Sequence, residues 1–190
     1  MFIIVVGLMV SCGDDDPMEM ENEDEEVISR ITLTFTPDNG EESVIAIWFD
    51  ADGEGSGAPT IDDIELKEGI TYSLELELSN TLGSTDVDIT NEISAEAEEH
   101  MFFFEFTTDI FSDPSGNGNV DNRGDAINYN DQDAKGLPVG LLTNWTPASA
   151  TASSGDFRIL LKHQPGLKTA MSDVTVGGTD VDISFPINIQ

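Results

Sequence analysis

Apolar and polar residues alternate along most of the chain after its first 26 positions. Three stretches are apolar at every second position: Ile31–Phe35, Tyr72–Leu78 and Val181–Ile189. This period of two is typical of antiparallel strands that bury one face and expose the other. Shorter apolar runs predict further strands at Val44–Phe49, Met101–Thr107, Ala126–Tyr129, Val139–Thr146 and Phe157–His163.

Turn-forming residues separate these runs, as at Asp38–Gly40 and Gly177–Gly178. About eight strands at this spacing predict one antiparallel, immunoglobulin-like β-sandwich domain over Val27–Gln190, with a small β-barrel as the alternative. The Ala- and Glu-rich stretch Thr90–Glu99 predicts either a short helix or an acidic excursion. Pro186 predicts an edge position or a bulge in the last strand.

The first residues show a different pattern. Phe2–Val10 is an uninterrupted apolar run. It is too short to cross a bilayer, which takes about 20 residues, but it matches the apolar region of a signal peptide. Small Ser11 precedes Cys12, the one cysteine of the chain. Residues 1–11 therefore predict a lipoprotein signal peptide and Cys12 the lipidated residue, the alternative being an unmodified cysteine. Because no Lys or Arg precedes the run, we expect a translation start upstream of Met1.

The stretch after the cysteine is strongly acidic. Gly13–Glu26 contains nine Asp or Glu residues, one Pro and no Lys or Arg. Such a composition predicts a disordered tether over residues 12–26, extended by self-repulsion. We therefore expect the β domain to be attached to a membrane through the lipid on Cys12.

The whole chain is acidic as well, with 38 Asp and Glu residues against 7 Lys and Arg residues and a formal net charge of −31. Nucleic acids and anionic lipid head groups are repelled by such a charge, so we expect no nucleic-acid partner. Cations and basic protein surfaces are attracted by it.

Several segments together resemble small, uncharacterised lipoproteins of flavobacteria, in the Bacteroidota. They are Asp50–Gly55, Gly69–Asn80, Ile89–Phe104, Leu137–Leu141, Ile159–Pro165 and Gly178–Ile189. The acidic cluster behind Cys12 is similar to their export signal. The resemblance implies an outer-membrane, cell-surface location, with a periplasm-facing one as the alternative. For a binding protein at that location we expect an outer-membrane receptor as a candidate partner. Members are often labelled as a type 1 periplasmic-binding-fold superfamily; that label implies two α/β lobes, whereas this chain shows no βαβ alternation.

Two loops carry acids at alternate positions and are candidate calcium loops. Their acids are Asp50, Asp52 and Glu54 in the first loop and Asp131 and Asp133 in the second. The first resembles the opening half of a calcium-binding loop, with Gly at its sixth position but Ile61 at its twelfth. In the second, Lys135 stands where a ligand is expected. The alternative is solvated turns, in which Asp and Gly are common.

His100 and His163 are the two histidines of the chain. Each is in phase with the apolar residues of its predicted strand, so each is expected to face the core at a strand end. If those ends are neighbours, the two histidines and Glu98 form a transition-metal or haem-contacting site. The alternative is that both histidines cap the rim of the core through hydrogen bonds.

Motifs of catalysis are missing from the sequence: no Gly-x-Ser-x-Gly, no His-Glu-x-x-His and no P-loop occurs. Acid pairs are too common here to indicate acid–base chemistry. We expect a non-catalytic, surface-anchored lipoprotein that binds a metal ion, a small ligand or a partner protein. The alternative is a structural or interaction module of the cell envelope whose loops are braced by Ca²⁺.

Overall fold

The alternating stretches form strands in the computed structural model, which describes residues 27–53, 55–149 and 153–190. Its elements in chain order are β1 Arg30–Pro37, β2 Val44–Phe49, β3 Thr60–Ile61, β4 Ile64–Leu66, β5 Tyr72–Asn80, β6 Val87–Asp88, α1 Ile89–Ala95, β7 His100–Phe106, β8 Phe111–Asp113, β9 Asn128–Tyr129, β10 Leu142–Pro147, β11 Ser154–His163 and β12 Gly178–Ile189. The fold is therefore all-β, with one short helix in this part of the chain.

Two sheets pack against each other. The large sheet has the order β3-β2-β1-β5-β10-β8, with β6 beside β5 and β9 beside β10. The small sheet has the order β4-β12-β11-β7. Neighbouring strands are antiparallel except β4, which runs parallel to β12. The predicted antiparallel sandwich is confirmed.

The core lies between the sheets because alternate side chains of their long strands face each other. From the large sheet, Leu33 and Leu76 are fully buried or nearly so, and from the small sheet Phe104 and Ile159 are fully buried. Trp145 of β10 is also fully buried. Its ring centroid lies 4.9–5.5 Å from those of four phenylalanines: Phe104, Phe106, Phe111 and Phe157.

Strand β7 is buried on both faces although it is an edge strand of the small sheet. Its second face forms a smaller cluster in which Met101 and Phe103 pack with Leu160. A loop covers its edge, because the Asn119 side chain accepts the Phe104 N–H at 3.0 Å and the Asn119 N–H donates back to the Phe104 carbonyl at 2.8 Å. The two-sided burial explains the unbroken apolar run of this strand.

Two ambiguous features of the sequence have defined structures. Helix α1 begins at Ile89, one residue before the predicted stretch, and is capped at its N-terminus by Asp88, whose side chain accepts the Asn91 N–H. Pro186 lies in β12, which is an inner strand, but β4 pairs only with Ile187–Ile189. Pro186 thus stands just before that register, where a missing N–H costs little.

Candidate functional site

The two histidines meet at one end of the small sheet. His100 is the first residue of β7 and His163 the last of β11, and the antiparallel register places them directly opposite each other. Their rings are stacked, with centroids 4.5 Å apart and planes 6° from parallel. His100 is buried and His163 half-buried, on the core-facing side of the sheet that the sequence period predicts.

A β-bulge brings an acid to this pair. Strand β12 pairs Val181 with Leu161 and Thr179 with Lys162, so Asp180 is the extra residue between two registers. Bulges of this kind redirect a side chain out of the regular alternation. The Oδ2 atom of Asp180 lies 3.8 Å from Nε2 of His100, and the Asp180 side chain is 15 % exposed.

Two more acids come from the turn that joins α1 to β7. The helix ends at Ala95, and the Glu99 N–H donates to the carbonyl of Glu96, which closes the turn. The Glu96 carbonyl also lies 3.3 Å from Nδ1 of His100, and its carboxylate lies 4.0 Å from the same nitrogen. The carboxylate of Glu99 lies 3.5 Å from Nε2 of His163.

Burial sets the protonation of the pair. Loss of solvent lowers the pKa of His100, and a positive charge on His163 lowers it further, whereas the carbonyl of Glu96 and the carboxylates of Asp180 and Glu99 act in the opposite direction. The net effect is a lowered pKa, which favours the neutral imidazole. Neutral imidazole is the form that binds metal ions.

Buried polar contacts hold the loops around the histidines. The Lys168 and Asp133 side chains form an ion pair at 3.1 Å and are 1 % and 0 % exposed. Lys168 Nζ also donates to the carbonyl of Ala97 at 2.6 Å, within the turn that carries Glu96 and Glu99. Beside His163, the fully buried Gln164 donates its backbone N–H to the carbonyl of Glu99 at 2.6 Å.

The second predicted calcium loop has its acids engaged by the protein. Asp131 accepts the N–H groups of Gly140 and Leu141, both at 2.8 Å. Asp133 accepts those of Lys135 and Leu137 at 2.9 and 2.8 Å. Burial acts to raise the pKa of Asp133, but these bonds and Lys168 outweigh it, and the pKa is lowered. The acid spacing of this loop has a structural explanation.

The other residues predicted to form sites either lie away from the histidine pair or are not among the residues that the structure describes. Glu98 forms an ion pair with Lys135 at 2.8 Å. In the first loop Asp50 accepts the N–H of Asp52 at 3.2 Å, and Asp52 accepts that of Gly57 at 3.0 Å. Glu54, Cys12 and the rest of residues 1–26 lie outside the described residues.

The histidine pair was thus predictable, but three of its neighbours were not among the predicted ligands. Glu96 and Glu99 stand close to Glu98 in the sequence, and only the turn geometry decides which of them face the histidines. Asp180 belongs to an alternating strand and reaches the site through the bulge. The Gly177–Gly178 pair just before it was the nearest signal of irregular backbone.

No family model matches the chain, and no curated protein or solved structure is significantly similar to it. No helix in the described parts of the chain is long and apolar enough to span a bilayer.

Proposed function

We propose that this chain is a non-catalytic, lipid-anchored binding protein that holds a transition-metal ion at His100 and His163. The main support for this proposal is the direct pairing of the two histidines. One ligand atom from each of His100, His163 and Glu96 lies within 4.8 Å of the other two. Imidazole and carboxylate donors together suit Zn²⁺ and Cu²⁺. The lowered pKa of His100 supports the same function, because a neutral ligand is then present at neutral pH.

The proposed location comes from the sequence. A signal peptide over residues 1–11, lipid on Cys12 and an acidic tether would hold the domain at the outer membrane, facing the cell exterior. The net charge of −31 would raise the local concentration of cations around it. A captured ion would then be available to an outer-membrane receptor.

The competing explanation is that the histidines cap the rim of the core. The hydrogen bond from His100 to the carbonyl of Glu96 is compatible with both functions. The two functions differ in what replacement does: a capping histidine contributes to stability alone, whereas a ligand also contributes to metal affinity.

The test is isothermal titration of the full chain, purified in a mild detergent, with Zn²⁺ and with Cu²⁺, together with thermal unfolding in EDTA and in each ion. An ion at a hundredfold its Kd adds about 2.7 kcal/mol to the free energy of unfolding. We expect His163→Gln and His100→Gln to abolish that stabilisation. Glu98→Gln is the matched control, because Glu98 pairs with Lys135, and it should bind as the wild type does.

Two results would contradict the proposed metal site. If neither ion changes the unfolding midpoint of the wild type, the chain has no such metal site. If His163→Gln keeps the wild-type affinity while losing stability, the rim-capping explanation holds. His163 is the more informative position, since its side chain is 24 % exposed and that of His100 is 2 % exposed.

A further inference from the structure

We propose that a groove beside the second face of β7 binds a small zwitterion, whose carboxylate contacts Arg123 and whose ammonium group contacts Asp173. The groove has a volume of about 410 Å³ and lies between two loops. The loop from β8 to β9 forms one side with residues 120–124, and the loop from β11 to β12 forms the other with residues between 170 and 175. None of these residues belongs to the histidine site, so the two proposals stand independently.

Arg123 is held in the groove by a buried aromatic ring. Its guanidinium carbon lies 5.7 Å from the ring centroid of Phe103, which is fully buried. A cation over an aromatic face at this distance is attracted to it. The contact orients the guanidinium without using any of its N–H groups, which are therefore left for a ligand.

The guanidinium of Arg123 also has no counter-charge in the described parts of the chain. Its Nε atom is buried without a hydrogen-bond partner there, and no acid described by the structure forms an ion pair with it. Four other basic residues do pair with acids: Lys67, Lys135, Arg158 and Lys168. Because the terminal N–H groups of a guanidinium match the two oxygens of a carboxylate, a ligand carboxylate suits this position.

Asp173 lines the same groove from the other loop. Its Oδ1 atom accepts the hydroxyl and the N–H of Thr175, at 2.6 and 2.9 Å. The hydroxyl bond, and after it the N–H bond, lowers the pKa of Asp173, so the side chain is a carboxylate at neutral pH. Its Oδ2 atom makes no hydrogen bond with a residue in the described ranges, and it can accept one from an ammonium group.

The charge of the whole chain favours a zwitterion over a simple anion. A net charge of −31 repels an anionic ligand, whereas a zwitterion carries no net charge. Between the two charged residues the groove has apolar walls, because Val120 and Val174 line it and pack on the cluster of Met101 and Phe103. An apolar body that joins the carboxylate to the ammonium group would bury its surface there.

The test is a titration of the full chain, in a mild detergent, with 6-aminohexanoate and with the shorter 4-aminobutanoate, followed by the backbone amide resonances. We expect 6-aminohexanoate to shift the amides of the two loops, and hexanoate and hexylamine, which carry one charge each, to bind about tenfold more weakly or worse. Arg123→Gln and Asp173→Asn should each lower the affinity by about tenfold or more. Arg30→Gln is the matched control, because the Arg30 guanidinium lies over Phe49 at 4.8 Å, outside this groove. Its affinity should stay within about twofold of the wild type.

Several results would overturn the proposal. If neither amino acid shifts the loop amides of the wild type, the groove is not a zwitterion site. If hexanoate binds as tightly as 6-aminohexanoate, the ammonium contact is wrong. If Arg30→Gln weakens binding as much as Arg123→Gln does, the effect is one of overall charge. If Asp121→Asn weakens binding and Asp173→Asn does not, the acid is wrongly assigned, since Asp121 lines the groove as well. The comparison of ligands needs the wild type alone and so does not depend on the folding of any variant.

Discussion

Lys168 is the single residue whose replacement tests most directly how the loops around the histidines are held. Its ammonium group is buried and bonds to Asp133 and to the carbonyl of Ala97. Burial lowers its pKa, and the carboxylate of Asp133 acts against that shift. We expect Lys168→Met to lower the free energy of unfolding by about 3 kcal/mol or more, because a buried carboxylate loses its counter-charge.

Urea denaturation measures that change, and Lys135→Met provides the control. Lys135 forms its ion pair with Glu98 at side-chain exposures of 57 % and 47 %. An exposed pair contributes about 0–1 kcal/mol. Equal losses in the two variants would show that the Lys168 pair is not the constraint on these loops.

The same residues show what a sequence can reveal about a site. Strand parity was enough to predict that His100 and His163 face the core, because each lies in phase with apolar residues of its own strand. Strand parity cannot place Glu96, Glu98 and Glu99, because they lie in a turn, where side-chain directions do not alternate. Nor could it place Asp180, because a bulge interrupts the alternation from which parity is read.

Among the elements, β7 depends on the loop that covers its edge. Gly118 has a φ of +97°, and a Cβ there would lie 2.0 Å from the carbonyl oxygen of Phe104. Gly116 has a similar φ of +104° but no atom within 4 Å of such a Cβ. We expect Gly118→Ala to lower stability by clearly more than Gly116→Ala, for which backbone strain alone costs about 1–3 kcal/mol.

Hydrogen exchange of the β7 amides identifies the cause. The Asn119 side chain accepts the Phe104 N–H, and the Asn117 carbonyl accepts the Phe106 N–H, so both amides should lose protection in Gly118→Ala and keep it in Gly116→Ala. Equal protection in the two variants would contradict the role assigned to the loop.

The long strands were predictable: seven of the eight alternating or apolar runs overlap strands of six residues or more, and the eighth overlaps the two-residue strand β9. The short strands β3, β4, β6 and β8 contain two or three residues each, too few for a period to emerge. The parallel pairing of β4 with β12 could not be predicted from the alternation either, because it joins Ile64–Leu66 to Ile187–Ile189, which are far apart in the sequence.

At the scale of the whole molecule, charge repulsion and specific ion binding make different predictions about salt. A net charge of −31 destabilises the compact state, and the Debye length falls from about 30 Å at 0.01 M to about 10 Å at 0.1 M. We therefore expect the thermal midpoint to rise with NaCl and to be the same in choline chloride of equal ionic strength. A further rise with CaCl₂ at matched ionic strength, removed by Asp52→Asn, would instead support calcium-braced loops. A thermal midpoint that does not change with NaCl would contradict the expectation that repulsion among the acidic residues lowers the stability of the fold.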